Sequence, residues 1–543
     1  MYITAVCTIA VYTIAAYTIA VLSVGCEPAC MHSAPITHEA LKRLRFRTRR
    51  QKHIFTMAVS KDLSHHLSEE ARSRKNSPLK SAFKYYKQPG MTFLGGGLPR
   101  SDYFPYSQVT AEIPAAPFAD GVAAPLTESN KVVLEVNKDA SLNGEKEIEL
   151  ARSLQYGYTE GQPELVDFLK EHTQVIHKVP YDDWSVILST GNTQSWDATL
   201  RTFATRGDSI LVEEYSFSSA LETVHAQGIN TIPVAMDAEG ILPEALEKML
   251  DQWVGPKPKL LYTISTGQNP TGSCLSADRR RAVYKLAQKH DFIIVEDEPY
   301  YFLQMESYTT DAAQRASRHV HSHDEFIKAL VPSFLSMDTE GRVIRLDSVS
   351  KVLAPGLRLG WIVGQERLLE RYVRLHEVSI QCPSGLSQSL VNSLLQKWGQ
   401  SGYMDWLMGI RSEYTHNRDV AIDAVNDFFP KEVTSFVPPV AGMFFTVTFD
   451  ASKHPKFKEL DEDPLKVETA IYNQGLLQGC LMIPGSWFKV DGKTNPPQPP
   501  LPENKDAKNI IFFRGTYAAV ALDELRSGLE KFAKGVRVEY GLE

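Results

Sequence analysis

The chain is poor in cysteine, with Cys7, Cys26, Cys30, Cys274, Cys382 and Cys480 spread over 543 residues. No CxxC pair and no Cys/His cluster with zinc spacing occurs among them. A thiolate zinc module is therefore excluded, no metal site is expected, and free thiols point to a reducing, cytoplasmic location. An excess of positive charge is missing too. Lys and Arg number 58 against 65 Asp and Glu, a net charge of -7. No field of the kind that draws nucleic acid arises from that balance, so small molecules are the expected partners. Hydrophobic residues at 43% and charged residues at 23% are ordinary for a globular chain. At roughly 100–200 residues per domain, the length predicts two or three domains.

The amino-terminal stretch lacks charge altogether: the first charged side chain is Glu27. Between Cys7 and Val21 the sequence repeats with a period of five, as CTIAV, YTIAA and YTIAV. A basic stretch, LKRLRFRTRRQK, runs from Leu41 to Lys52. Three readings compete. An uncharged run of this length could span a membrane, with the basic residues holding the downstream domain in the cytosol. It could be a targeting segment, although basic residues before the apolar run are missing and the run is too apolar and regular for an amphipathic mitochondrial presequence. The third reading is an extension outside the fold, with the soluble part starting at Met57. That reading is preferred, and residues 1–56 are set apart; if retained as an anchor or presequence they would change the location to a membrane or the mitochondrion.

From about Ser185, short apolar runs alternate with helix-like stretches. The runs are 186–188, 209–212, 260–264, 292–295, 343–346 and 359–363; residues 276–290 show a helical pattern. Most runs are β-branched and apolar on both faces, as in strands covered on both sides. The alternation predicts an α/β fold with a mostly parallel sheet, whose ligands gather at the carboxyl ends of the strands. Residues 304–341 interrupt the pattern with a polar stretch holding His319, His321 and His323, read as a solvated loop because no carboxylate or cysteine stands at ligand spacing. Residues 496–502 are proline-rich and read as an exposed loop. From about Gln381 the pattern shifts to helices and short strands; 440–448 and 480–487 read as strands of a smaller α+β domain. No internal repeat is visible after residue 57.

The strand ends carry an ordered set of motifs. Ser189-Thr190-Gly191-Asn192-Thr193-Gln194 is a small-residue turn opening a helix, where free N–H groups suit a phosphate. Gln268-Asn269-Pro270-Thr271-Gly272 stands after the next run but one, and Glu296-Asp297-Glu298-Pro299-Tyr300 ends another. Asp347-Ser348-Val349-Ser350-Lys351 leads to Arg358-Leu359-Gly360. Serine hydroxyls and an arginine make a phosphate cup, and a lysine beside it has its pKa lowered by the neighbouring charge, which frees an amine to bind an aldehyde. Each motif is weak by itself. Their order, each at or near the end of an apolar run, is a strong signal.

In these motifs the chain resembles the fold-type I pyridoxal-phosphate aminotransferases, within them the branch of fungal aromatic amino acid, kynurenine and 2-aminoadipate aminotransferases. The resemblance runs from about Asp62 to Phe532 and includes Leu94-Gly95-Gly96-Gly97-Leu98-Pro99, Leu154-Gln155-Tyr156-Gly157, Pro439-Val440-Ala441-Gly442-Met443-Phe444, Met482-Ile483-Pro484-Gly485 and Phe513-Arg514-Gly515. It implies a mostly parallel central sheet with a smaller α+β domain. The implied division is a 57–150 arm with part of the small domain, a large cofactor domain over 151–380 and a carboxyl-terminal small domain over 381–543. By the same resemblance Lys351 carries pyridoxal 5'-phosphate as a Schiff base and moves the substrate's α-proton, and Asp297 pairs with the pyridine nitrogen. Asn269 and Tyr300 bond the ring hydroxyl, Tyr215 stacks on the ring or is a core tyrosine, and Thr193, Gln194, Ser348, Ser350 and Arg358 hold the phosphate. Tyr156 reaches the phosphate or substrate of the other subunit of a homodimer. Arg514 forks onto the substrate carboxylate, with Asn269, Gly96 and Gly97 beside it. Where some relatives use an amino-terminal arginine in the side-chain pocket, the segment Ser-Pro-Leu-Lys here ends in Lys80, which lacks the planar stacking surface.

The expected reaction is transfer of an amino group from an aromatic L-amino acid to 2-oxoglutarate in two half reactions at one site. The alternative donors are 2-aminoadipate and kynurenine. A transcription regulator built on this fold is a more distant alternative, since it needs a DNA-binding domain that residues 1–56 are too short and apolar to supply; a β-lyase is another.

Overall fold

The computed structural model describes residues 59–78, 85, 88–92, 94–318, 322–492 and 508–542. The 1–56 segment, Lys80, His319, His321 and the proline-rich stretch 496–502 lie outside the described residues. Among the described residues no helix is long and apolar enough to cross a membrane.

A hairpin of β1 (Gln108–Pro114) and β2 (Lys131–Asn137) precedes α1 (Pro163–His177). The centre is a seven-stranded sheet. Its strands are β3 (Trp184–Ser189), β4 (Ser209–Glu213), β5 (Asn230–Val234), β6 (Leu260–Thr263), β7 (Ile293–Asp297), β8 (Val343–Ser348) and β9 (Gly360–Gln365). In space they run β3-β9-β8-β7-β6-β4-β5. Every pairing is parallel except the two made by β9, which is antiparallel to β8 and to β3. Every residue of β6, β7, β8 and β9 is buried, which is why these runs read as continuous apolar stretches instead of alternating ones. The helices α2 (Asn192–Phe203), α3 (Ala277–His290) and α4 (Glu366–His376) accompany the sheet. In α3 the Ser276 side chain accepts from the Arg279 N–H, a cap that fixes where the helix starts.

The long helix α5 (Gly385–Phe428) is broken at Gly399, whose φ of 66° only glycine adopts freely. Val391, Leu395 and Trp398, before the break, and Leu407, just after it, pack into the core of the large sheet. Further along, α5 packs Ala421, Ile422 and Val425 into a second apolar core with the small sheet. That sheet comprises β10 (Thr434–Ser435), β11 (Phe444–Asp450), β12 (Ile483–Pro484) and β13 (Ile510–Thr516), ordered β10-β11-β13-β12 and antiparallel throughout. The helices α6 (Pro464–Gln478) and α7 (Leu522–Tyr540) cover it, contributing Val467, Ile471, Leu529 and Phe532 to that core.

Two local expectations are corrected. The run 480–487 is a strand only at Ile483–Pro484, because Pro484 has no N–H to extend the ladder and Gly485–Phe488 turns into a 3-10 helix. The stretch 304–341 is more than a loop: it holds short helices at Ala312–Ala316, His323–Ala329 and Phe334–Met337. His323 starts one of them and meets Asp405 at 2.7 Å.

Candidate functional site

Because β3, β4, β6, β7 and β8 point the same way, their carboxyl ends share one edge of the sheet, and the motif residues lie there. Asp297 closes β7. Its Oδ2 accepts from the Tyr262 hydroxyl on neighbouring β6, and its Oδ1 from Asn192 Nδ2 at the start of α2, both at 2.7 Å. The same Asn192 Nδ2 donates to the Leu346 carbonyl on β8 at 2.9 Å, tying helix, acid and lysine strand together. Burial pushes the Asp297 carboxyl up to about 6, against the downward pull of the Tyr262 and Asn192 bonds. Among the described residues it makes no ion pair. Asn192 Oδ1 is itself buried and without a partner.

Across the β7–β8 ladder, where Leu346 faces Asp297, β8 runs on into the lysine turn. Ser348 Oγ accepts from the Ser350 N–H at 3.1 Å and lies 2.7 Å from Ser350 Oγ, holding the 3-10 turn Val349–Lys351. Burial, and behind it the Arg358 guanidinium, lowers the Lys351 pKa below its usual range. Arg358, with a left-handed φ of 47°, donates to the Pro355 carbonyl at 3.0 Å. A Cβ built on Gly191 would stand 2.8 Å from Arg358 Nη2, so the arginine sits directly on the amino terminus of α2 and only glycine leaves it room. That terminus has no side-chain cap on Gly191. Gln194 instead folds back, accepting from the Thr190 N–H at 3.2 Å and meeting His376 Nε2 at 2.9 Å, while Thr193 is exposed.

On the other side lies Arg514, which β13 supplies next to Thr446 of β11 and Ile483 of β12. Its guanidinium carbon is 4.4 Å from the Phe444 ring centre and 4.8 Å from that of Phe488. Its Nη1 donates to Asn269 Oδ1 at 2.7 Å. Burial lowers its pKa, with Tyr300 acting the other way. Asn269 belongs to a loop pressed against 439–444: a Cβ on Gly267 would come within 2.4 Å of Gly442 Cα. Tyr300 is buried edge-to-face on Phe444, and burial raises its hydroxyl pKa, with Asp297 adding to the effect. The Tyr215 ring lies edge-on to Phe512, 5.0 Å between centres, and burial pushes its hydroxyl up to about 12. Its carbonyl accepts from Gln268 Nε2 at 2.6 Å, next to Asn269.

The expected residues thus fall into two groups. Lys351, Asp297, Ser348, Ser350, Arg358, Thr193 and Gln194 share the strand-end cluster, Asn269, Tyr300 and Tyr215 stand on the linked loops, and Arg514 reaches them from β13. Gly96, Gly97 and Tyr156 are exposed. Their segments are joined by the Gln155 side chain, which donates to the Pro99 carbonyl at 2.7 Å. Among the described residues no hydrogen bond or ring contact joins them to Lys351 or Asp297. Sequence reasoning passed over Asn192, Tyr262 and Phe488. Tyr262 carried a readable signal: a hydroxyl inside a strand buried on both faces has to find a polar partner.

Away from this edge, ring nitrogens of His65 and His66 converge on Asp291, their ligand atoms all within 4.8 Å of one another. The Arg342 guanidinium also stands 3.6 Å from Asp291, which makes the cluster an ion-pair network and a poor cation site.

Comparison with known proteins agrees with this geometry. The family model for aminotransferase class I and II matches residues 121–498. An aromatic amino acid aminotransferase of Schizosaccharomyces pombe is 43% identical, over 88% of this chain and 98% of that one. An L-tyrosine:2-oxoglutarate aminotransferase of Tapinella panuoides is 33% identical, over 89% of this chain and 97% of its own. The crystal structure of aminotransferase Aro8 from Candida albicans is 65% identical, covers 89% of this chain and all of its own, 100%, and superposes with a TM-score of 0.86. With the family match over most of its length and the strand-end cluster in place, the chain belongs to the class I and II aminotransferases.

Proposed function

We propose that this aminotransferase takes the amino group from an aromatic L-amino acid and passes it to 2-oxoglutarate, using pyridoxal 5'-phosphate held at Lys351. The observation that carries the cofactor reading is the buried Asp297: a carboxylate with two neutral donors and, among the described residues, no ion pair, next in the sheet to a strand that runs on into the half-buried Lys351. A protonated ring nitrogen supplies the missing cation. The aromatic substrate rests on the names of the relatives that share most of this chain's length.

When bound, pyridoxal phosphate supplies an aldehyde for the amino group and an electron-poor ring that spreads negative charge from the substrate's α-carbon. Asp297 would keep the ring nitrogen protonated, and Asn192 and Tyr262 hold its two oxygens in position. Ser348, Ser350, Arg358, Thr193 and the amino terminus of α2 would hold the phosphate, where N–H groups and an arginine fork suit an anion. Lys351 would hold the aldehyde, and its Nζ is the base for the α-proton. Its weakened basicity suits this role, since an ordinary lysine stays protonated near neutral pH. Arg514, flat between two phenyl rings and anchored on Asn269, presents its remaining N–H groups to the substrate carboxylate. The donor and the 2-oxo acid share that carboxylate, which lets one site serve both half reactions. Tyr156 is assigned to completing the site across a homodimer, Gly96 and Gly97 to letting backbone approach the substrate carboxylate beside Arg514, and Lys80 to the side-chain pocket.

The test is an absorbance titration of the purified protein loaded with pyridoxal phosphate. Phenylalanine, tyrosine and tryptophan should discharge the cofactor absorbance, and 2-oxoglutarate should restore it. Discharge by 2-aminoadipate with no response to the aromatic amino acids overturns the substrate, and a protein that takes up no pyridoxal phosphate overturns the cofactor.

A further inference from the structure

Residues 306–318 fold back onto the second half of α5, and between the two lies a cavity of about 320 Å³. Its walls include Glu306, Arg315, Arg318, Arg411, Ser412 and Asp419. Three of the arginines in this region are spoken for. Arg315 grips Asp423 with two bonds of 2.7 Å. Arg318 pairs with Asp419 and donates to the Ser307 carbonyl at 2.6 Å. Arg418 donates to Asp419 at 2.8 Å, to the Glu306 carbonyl at 2.7 Å and to the Pro439 carbonyl.

Arg411 is different. It is 8% exposed, and among the described residues its Nη1 is buried with no hydrogen-bond partner and the nearest carboxylate oxygen, on Glu306, is 4.0 Å away. A phenyl ring, Phe326, lies 5.7 Å beneath it. Burial works against its charge, and Glu306 offsets only part of that. Four guanidinium groups here face three carboxylates, those of Glu306, Asp419 and Asp423. His416, also in the wall, adds no negative charge. A buried guanidinium whose nearest carboxylate stands 4.0 Å off is costly, and a water can satisfy an N–H but not the surplus charge.

We propose that this cavity binds a small organic monocarboxylate, at a site separate from the Lys351 edge, with Arg411 receiving the carboxylate. One negative charge balances the surplus. Glu306 and Asp419 in the wall repel a dianion such as phosphate, and Met408 gives the carbon skeleton an apolar surface. The site is mechanically joined to the cleft. Met305 N–H donates to Val440 and Gly442 N–H to Leu303, so the start of the 304–341 insertion is laced to the 439–442 loop. Gly442 presses on Gly267, two residues before Asn269.

Calorimetric titration of the loaded enzyme with 3-phenylpropionate, which has no amino or keto group to react, tests this. Cofactor absorbance is followed in parallel. The expected result is two binding events per chain, one that moves the absorbance and one seen only as heat. Arg411→Met removes the silent event and keeps the other. Ser412→Glu, which tethers a carboxylate in the cavity, does the same without deleting the arginine. A single event that follows the absorbance overturns the proposal, as does a silent event that survives in both variants. So does a silent site that inorganic phosphate fills and phenylpropionate does not displace. Loss of the absorbance response with the silent event intact bears on the Lys351 reading and leaves this one standing.

Discussion

Asp297 has two neutral donors and no counter-ion, so each donor carries weight in keeping it a carboxylate. Asn192→Ala removes one of them. A hydrogen bond to a charged group contributes about 1.5–3 kcal/mol, so kcat should fall roughly tenfold to hundredfold with KM little changed. Steady-state kinetics across pH should show the loss deepest on the acid side, where the less supported acid protonates first. Lys351→Ala should abolish turnover, by about a thousandfold or more in a single-turnover assay, if the amine proposed to move the α-proton is the one removed. Arg514→Lys puts a point charge where a planar fork lies between Phe444 and Phe488, and it gives up the bond to Asn269. KM for the amino donor should rise about tenfold or more while the cofactor spectrum stays the same. Asp297 and Lys351 were readable through the ordered set of motifs and the family resemblance it carries, since an acid or a lysine at one strand end is by itself a weak signal. Asn192 was not, since asparagine at a helix start reads as a cap, and which partner it takes depends on β7 and β8 lying beside it. Phe488 was hidden because its ring acts from a 3-10 turn outside any recognisable pattern.

Among elements, the junction of β3 with α2 is the most constrained. Gly191 has φ 108°, and any side chain there would meet Arg358. Gly191→Ala therefore carries backbone strain of about 1–3 kcal/mol as well as displacing the arginine. The expected outcome is at least tenfold weaker retention of pyridoxal phosphate, read by dialysis and re-titration, with the fold's circular dichroism unchanged. The strands of the large sheet were legible because they are covered on both faces and read as unbroken apolar runs. The small sheet was less so: the strand proper is Phe444–Asp450, later than the run 440–448 suggests, since Ala441 and Gly442 are held by loop contacts and not by a ladder. In the 304–341 insertion polarity masked real helix signals. Ser322 and Glu325 form a capping box, the Glu325 N–H donating to Ser322 Oγ at 3.2 Å and Ser322 Oγ to Glu325 Oε2 at 3.0 Å.

Taken whole, the molecule buries groups that respond to pH in opposite senses. Burial pushes Glu213 up to about 7, so folding favours its protonated form. Its contribution to stability is complete below the ordinary carboxylate range and is lost as pH rises towards 7. His172 and His376 are lowered to about 4 by burial. Their contribution is present above about 6.5, the ordinary histidine value, and is lost as pH falls to about 4. Stability should therefore pass through a broad maximum on the weakly acid side of neutrality. Relative to the parent protein, Glu213→Gln should gain about 1–3 kcal/mol between about pH 5 and 7, where the glutamate's own contribution is lost, measured by denaturant unfolding of both at several pH values. A difference between the two proteins that does not change with pH would remove Glu213 from this account. The reversed strand β9 has a consequence at this scale as well. An antiparallel neighbour needs no crossover helix, so one short connection, 349–359, returns β8 into β9 and carries both Lys351 and Arg358. The proposed cofactor amine and phosphate anchor thus ride on a single span pinned at both ends by the same ladder, and Arg514 belongs to another sheet. On the proposed roles, breathing of the cleft would move the carboxylate fork relative to a cofactor seat that stays whole, so that substrates could enter and leave without loosening the grip on the group that is reused.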